Sequence, residues 1–360
     1  MNSQHDDVIA VDAVVPAEVS ELDKQQRREK IYTRAIEGHF QRLRLYTGWP
    51  LLLGYFLLPW LMYGNRQAVL FDLPARKFHI FSLTFWPQDL VLLAFILIIA
   101  AFTLFAVTAI WGRLWCGYTC PQTVWTAIFM YIEQRFEGSR SQRIKLDQES
   151  MSWKKLRRKT LKHSGWALVA GFTGITFISY FVPIRQLLPD LLSLTADTSA
   201  ASFTLLFSVA TYLNAGYLRE KVCTDMCPYA RFQSVMFDKN TLVVTYDTKR
   251  GEPRGSRKRF ATKEAHQGDC VDCELCVQVC PTGIDIRAGL QYECIGCALC
   301  IDACDSIMEK MGSPKGLVSY TSENALTGNE ITGLPPKTLG YIMALAVMVT
   351  LFSFSLVNRS

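Results

Sequence analysis

Histidine is scarce in this chain, with five in 360 residues. Only His163 stands near an apolar segment, where it is expected to sit at a membrane interface. The paired axial histidines of a membrane haem are therefore missing, and no CxxCH offers covalent haem attachment. No G-x-G-x-x-G follows a strand-like run, so a built-in nicotinamide or flavin domain is not expected. His39, His79 and His266 are read as surface or loop residues without a role. Residues 1–44 are polar and lack a cleavable apolar core, so the first apolar segment is expected to remain as an anchor.

Cysteine, by contrast, is plentiful: there are twelve, and eight form two runs, Cys270-x2-Cys273-x2-Cys276-x3-Cys280-Pro281 and Cys294-x2-Cys297-x2-Cys300-x3-Cys304. This is the ligand pattern of a bacterial ferredoxin with two 4Fe-4S clusters, in which each run lends its fourth cysteine to the other cluster. Cys270, Cys273, Cys276 and Cys304 are thus expected to hold one cluster, and Cys294, Cys297, Cys300 and Cys280 the other. Paired CxxC units also make tetrahedral zinc sites. The doubled spacing with Pro281 favours iron and sulfur. Asp305 stands where a second proline is often found, which is expected to weaken the turn after Cys304.

Half of the residues are apolar and mean hydropathy is +0.14, yet Lys and Arg number 38. Apolar and basic stretches must therefore alternate. Candidate spans are 45–63, 88–111, 163–183, 201–218 and 338–357, each near the length needed to cross about 30 Å of hydrocarbon. With the N-terminus inside, residues 1–45, 112–162 and 219–337 carry 7, 11 and 15 Lys/Arg, while only 5 fall outside. Positive charge stays on the cytoplasmic side. The expected fold is a polytopic α-helical membrane protein of about five transmembrane helices with a cytoplasmic two-cluster ferredoxin domain. Its setting is a bacterial cytoplasmic membrane, with the C-terminus periplasmic.

The domains expected are a disordered segment 1–26, an amphipathic basic helix 27–44 lying on anionic lipid or on the ferredoxin unit, and a four-span membrane domain 45–240. A ferredoxin domain 241–337 and the fifth span 338–357 follow. Residues 241–247 read as a strand. The basic stretch KRGEPRGSRKRF is a linker that suits lipid head groups; nothing points to nucleic acid.

The other four cysteines form matching pairs, Trp115-Cys116-Gly-Tyr-Thr-Cys120-Pro121 and Val222-Cys223-Thr-Asp-Met-Cys227-Pro228. Each follows an inward-running span and precedes an aromatic-rich segment, so two spans plus CxxxCP are duplicated. Pseudo-symmetry can bring the pairs together at the inner face. There they would bind a soft ion such as Cu(I) or cycle between dithiol and disulfide. Buried structural cysteines are the plainer alternative. With no haem, flavin or nicotinamide site, electrons must come from an external donor.

WCGYTCPQTVW, REKVCTDMCPYARFQSVMFD and CIGCALCIDACDSIMEKMGSPKGLVSY together resemble the cytochrome c oxidase accessory protein family CcoG, also called FixG or RdxA. The likeness runs from about residue 27 over nearly the whole chain. It implies a membrane iron-sulfur protein, a cupric reductase or electron-transfer protein needed to assemble cbb3-type oxidase, working with copper-handling and oxidase-assembly proteins; a homodimer is one arrangement that the sequence leaves open. Carried over by motif, Cys116, Cys120, Cys223 and Cys227 become the copper site. Members usually continue into a periplasmic β-sandwich domain, whereas this sequence stops at Ser360. Two other readings share the same chemistry: a quinol-linked membrane ferredoxin similar to NapH, and a scaffold whose clusters are only structural.

Overall fold

The computed structural model describes residues 30–257, 266–328 and 335–358. The segment 1–26 expected to be disordered, most of the basic linker's end and Arg359 lie outside the described residues. Helices form at all five places where spans were expected: α1 (His39–Leu57), α2 (Leu90–Trp111), α6 (Trp153–Ser179), α8 (Thr198–Leu213) and α12 (Pro336–Val357). Among the described residues, two are long and apolar enough to cross a membrane, α12 and α2 with its leading turn from Pro87. The other three fall short for separate reasons. Basic Arg42 and Arg44 occupy the first turns of α1, and basic residues fill the opening of α6, which starts ten residues before the span expected at 163. The last, α8, is only 16 residues long.

Two helix pairings organise this part: α6 runs along α8, and α2 along α12. The first pairing depends on small residues. A Cβ added at Gly174 would come within 2.2 Å of Ser208 Oγ and 2.7 Å of the Thr204 carbonyl oxygen, so only glycine lets these backbones approach. Between α1 and α2 lies a three-stranded antiparallel sheet, β1 (Val69–Asp72), β2 (Lys77–Ile80) and β3 (Leu83–Phe85), paired Val69↔Ile80 and Phe78↔Phe85. His79, read from sequence as a surface or loop residue, is in β2 and bonds Thr84 at 2.9 Å.

After α2 come α3 (Leu114–Tyr118), α4 (Pro121–Glu137) and α5 (Arg140–Gln148). The inner side of α4 carries two fully buried carboxylates, one turn apart. Glu133 pairs with Arg219 at 2.7 Å and Arg143 at 3.5 Å, and Glu137 with Lys162 at 2.9 Å and Lys159 at 3.0 Å. A buried carboxylate is tolerated only when paired. These contacts therefore fix α4 to α5, to the start of α6 and to the chain leaving α8.

The ferredoxin unit is built on β4 (Val243–Tyr246) and β5 (Val318–Thr321), antiparallel with Val243↔Thr321 and Tyr246↔Val318. Thus β4 is the strand expected within 241–247. The short helix α10 (Leu275–Gln278) and the longer α11 (Leu299–Met311) each follow a cysteine loop. Where Pro281 follows Cys280 outside any helix, Asp305 lets α11 run on through Cys304, and its Oδ1 accepts the Gly316 amide at 2.9 Å. The missing proline thus lengthens a helix rather than weakening a turn.

The amphipathic helix expected over 27–44 does not form across residues 30–38, which are non-helical; α1 begins only at His39. Tertiary bonds take the backbone groups such a helix would use. The Arg34 amide donates to the Gln278 carbonyl at 2.8 Å, the Arg143 guanidinium donates to the Thr33 carbonyl, and Ile36 packs against the apolar cluster that includes Val279 and Cys297. Nor does α1 cap itself, since its N-cap is Gly38. Instead Asp302 of α11 accepts the amides of Phe40 at 3.1 Å and Gln41 at 2.8 Å. Removing an N-cap acceptor costs about 1–2 kcal/mol. Asp302→Ala should accordingly lower the temperature at which cluster absorbance is lost on heating, without changing iron content at 25 °C.

Candidate iron-sulfur and thiol site

Two neighbouring cavities lie in the ferredoxin unit. One is lined by Cys270, Cys273, Cys276 and Cys304, with Tyr246, Arg287 and Met308. The other is lined by Cys280, Cys294, Cys297 and Cys300, with Ile284 and Ile286. The chain thus draws together the two crossed sets of four that the spacing predicts. Cys276 touches both cavities, so they share a wall.

The loops that do this use left-handed residues just before each helix: Glu274 at φ 56° leads into α10 and Ala298 at φ 60° into α11. These equivalent kinks bring the middle cysteines round to one side. Among the described residues no three His, Cys, Asp or Glu side chains close on one point as a single metal ion requires. The four thiols round each cavity are the donor set of a four-iron core.

Burial pushes the Cys276, Cys294 and Cys304 thiols up to about 12 and raises those of Cys280 and Cys300 as well. Four thiolates in such an interior need a cationic centre among them, and an iron core supplies it. By donor set and by electrostatics the residues fit two four-iron clusters.

The CxxxCP pairs are equivalent in backbone as well as in sequence. In the first, the Cys120 amide donates to the Trp115 carbonyl at 2.9 Å; in the second, the Cys227 amide donates to the Val222 carbonyl at 2.8 Å. Each second cysteine then caps a helix whose first residue is proline: α4 after Cys120, and α9 (Pro228–Met236) after Cys227. Proline suits this position because the first helical N–H has no partner to lose. The two loops reach this common ending differently, the first through α3 and the second through a wider π-type turn over Val222–Met226. Ahead of it Arg219 adopts φ 42°, with its Nε on the Gly216 carbonyl at 2.8 Å.

The structure sets all four thiols close enough for Cys120, Cys116 and Cys227 each to act on Cys223 electrostatically. Burial is the main reason that Cys116 and Cys223 are both pushed up to about 12. Both also pack on the apolar cluster of Leu275, Val279, Ile295, Leu299 and Ala303, which includes Cys297 and touches Cys300. One thiol of each pair therefore packs on residues that also line the second cluster cavity. The backbones also come close at Gly117, where an added Cβ would lie 2.8 Å from the Gly296 carbonyl oxygen and 3.0 Å from Cys297 Cα.

Two polar side chains here have no sequence signal of their own. Gln233 of α9, fully buried, accepts from Cys116 Sγ at 3.3 Å and donates to Thr108 Oγ1 at 3.3 Å, and Thr108 meets the Tyr229 hydroxyl at 2.8 Å. Arg113 donates to the carbonyls of Tyr292 at 2.6 Å, Cys294 at 3.2 Å and Ala230 at 2.6 Å. A lone Arg or Gln beside a span reads as a solvated flank. Only the folded chain shows Gln233 joining the second repeat to the first, and Arg113 tying both repeats to the second ferredoxin loop. His163, expected at a membrane interface, bonds the Tyr212 hydroxyl at 2.8 Å and stacks on Tyr217.

Fold and cysteine geometry together define an iron-sulfur protein with a dicluster ferredoxin unit. Residues 218–323 match the family described as a 4Fe-4S dicluster domain, and residues 93–137, which include Cys116 and Cys120, match one described as a 4Fe-4S binding domain. Nitrogen fixation protein FixG of Rhizobium meliloti (strain 1021) is 43% identical over 310 residues, 84% of this chain and 59% of FixG. Proteins RdxA and RdxB of Cereibacter sphaeroides are 41% and 40% identical, over 81% and 82% of this chain and 62% and 63% of their own lengths. Over the stretch they share, the chain is similar to the FixG and RdxA proteins. It spans about three fifths of the length of these curated relatives. No solved structure matches it significantly.

Proposed function

We propose that the chain is a five-span protein of the bacterial cytoplasmic membrane, with its ferredoxin unit inside, that reduces Cu(II) to Cu(I) at the CxxxCP thiols for assembly of a cbb3-type oxidase. The observation that carries this reading is the position of Cys116 and Cys223, which share one apolar cluster with Cys297 and Cys300 of the second set of cluster cysteines. Four-iron clusters, when bound, store and pass single electrons. The chain's own part is to hold two pairs of soft sulfur donors beside that store, out of bulk water. Thiolate binds Cu(I) better than Cu(II), which raises the potential of the copper couple and favours its reduction there. Binding also relieves the cost of burial, since a cation replaces the protons that Cys116 and Cys223 otherwise keep.

Support for five spans comes from the surfaces of the helices. Beyond the two apolar helices, α1 exposes Trp49, Leu51 and Leu53, α6 exposes Leu168 and Phe172, and α8 exposes Phe203, Leu205 and Leu206. Apolar side chains exposed on five helices suit hydrocarbon, not water. Alkaline phosphatase fused after Asp72 or Ser193 should be active, and after Gly138 or Gly255 inactive. The reverse pattern would overturn the inside placement of the thiols. The copper step is tested by anaerobic addition of Cu(II) to the dithionite-reduced, desalted protein with a colorimetric Cu(I) chelator. About one Cu(I) per electron held is the expected result. No Cu(I) above that given by a thiol-blocked sample would sink the proposal.

A further inference from the structure

Arg113 is 6% exposed and has no carboxylate partner among the described residues, although a buried charge normally requires one. Its guanidinium instead joins three segments. Nη1 donates to the carbonyls of Tyr292 and Cys294 in the second cluster loop, and Nη2 donates to Ala230 just after the second CxxxCP pair. Arg113 itself lies three residues before Cys116. The contrast with the first cluster cavity is direct. Arg287 lines that one, but it is neutralised by Asp285 at 2.7 Å and Asp272 at 2.5 Å. One cavity therefore has a compensated cation beside it and the other an uncompensated one.

We infer that Arg113 is a positioning residue that makes the cluster site of Cys280, Cys294, Cys297 and Cys300 the more oxidising of the two, so that electrons collect next to the CxxxCP thiols. Its missing counter-charge is the net negative charge of a thiolate-ligated cluster. The favourable field grows when an electron is added, which raises the reduction potential. Burial keeps the field from being screened by salt. The same charge is felt at Cys116 and at Cys294, in both cases partly offsetting the effect of burial. The inference rests on both clusters being present and does not need copper.

The experiment is an EPR-monitored redox titration of the full chain in detergent, comparing wild type with Arg113→Gln and Arg113→Lys, each checked for iron content. Wild type should show two resolved steps. In R113Q the higher step should move down so that its one-electron equilibrium is at least tenfold less favourable, 59 mV, while the lower step stays. R113K, which keeps the charge, should retain most of the gap. If R113Q loses iron, R113K decides alone: a retained gap supports the inference and a collapsed one overturns it. Unchanged potentials in R113Q, or equal movement of both steps, would also overturn it. Cu(I) formation is measured separately, so a failure of the copper reading with a selective potential shift leaves this inference standing.

Discussion

Cys280→Ser should remove the second cluster and spare the first, although Cys280 belongs by sequence to the first run. Its thiol lines the cavity of Cys294, Cys297 and Cys300, and lies away from the cavity of Cys270, Cys273 and Cys276. The reciprocal change, Cys304→Ser, should remove the first. Either variant is expected to fall from about eight irons per chain to about four, each cluster holding four. Because the second cavity is backed by Cys116 and Cys223, only Cys280→Ser should also alter the reactivity of the CxxxCP thiols toward an alkylating probe. EPR of the reduced variants separates the outcomes. If Cys280→Ser keeps the second signal and loses the first, the crossed assignment is wrong.

The cluster sites were legible because the chemistry is local. Three cysteines at two-residue spacing must share a loop, and the rule of the exchanged fourth ligand supplies the only long-range link. The equivalence of the CxxxCP pairs was legible for a similar reason: cysteine followed by proline at a helix start fixes backbone geometry within six residues, as the matching amide bonds of Cys120 and Cys227 show.

What the sequence hid depends on distance along the chain. The cap on α1 comes from Asp302, more than 260 residues away. The non-helical path of residues 33–38 follows from bonds to Arg143 and Gln278, not from any weakness of its helical pattern. The sheet of β1 to β3 was overlooked for a different reason. Its strands are three or four residues long and sit between apolar spans, where alternation of polar and apolar residues gives little contrast. Gln233 and Arg113 could not be found from pattern at all, since an isolated polar residue gains meaning only from the groups it is buried against.

Replacing Cys116, Cys120, Cys223 and Cys227 together by serine should abolish Cu(I) binding while leaving iron at about eight per chain. Oxygen is a hard donor that suits Cu(I) poorly, so the loss is expected to exceed a hundredfold in affinity, about 2.7 kcal/mol or more. The iron should stay because none of the four thiols lines either cluster cavity. Serine also preserves the helix starts at Pro121 and Pro228, which depend on backbone and proline geometry. The double variants sharpen the test. If both pairs form one site, Cys116→Ser with Cys120→Ser should cost nearly as much as all four, and so should Cys223→Ser with Cys227→Ser. Independent pairs would each retain about half of the binding capacity at full affinity. Reoxidation of the dithionite-reduced protein by Cu(II) should slow in the fourfold variant by a similar factor. Cu(I) binding and reoxidation at wild-type levels would show that the pairs only shape the loops, leaving a ferredoxin that passes electrons elsewhere.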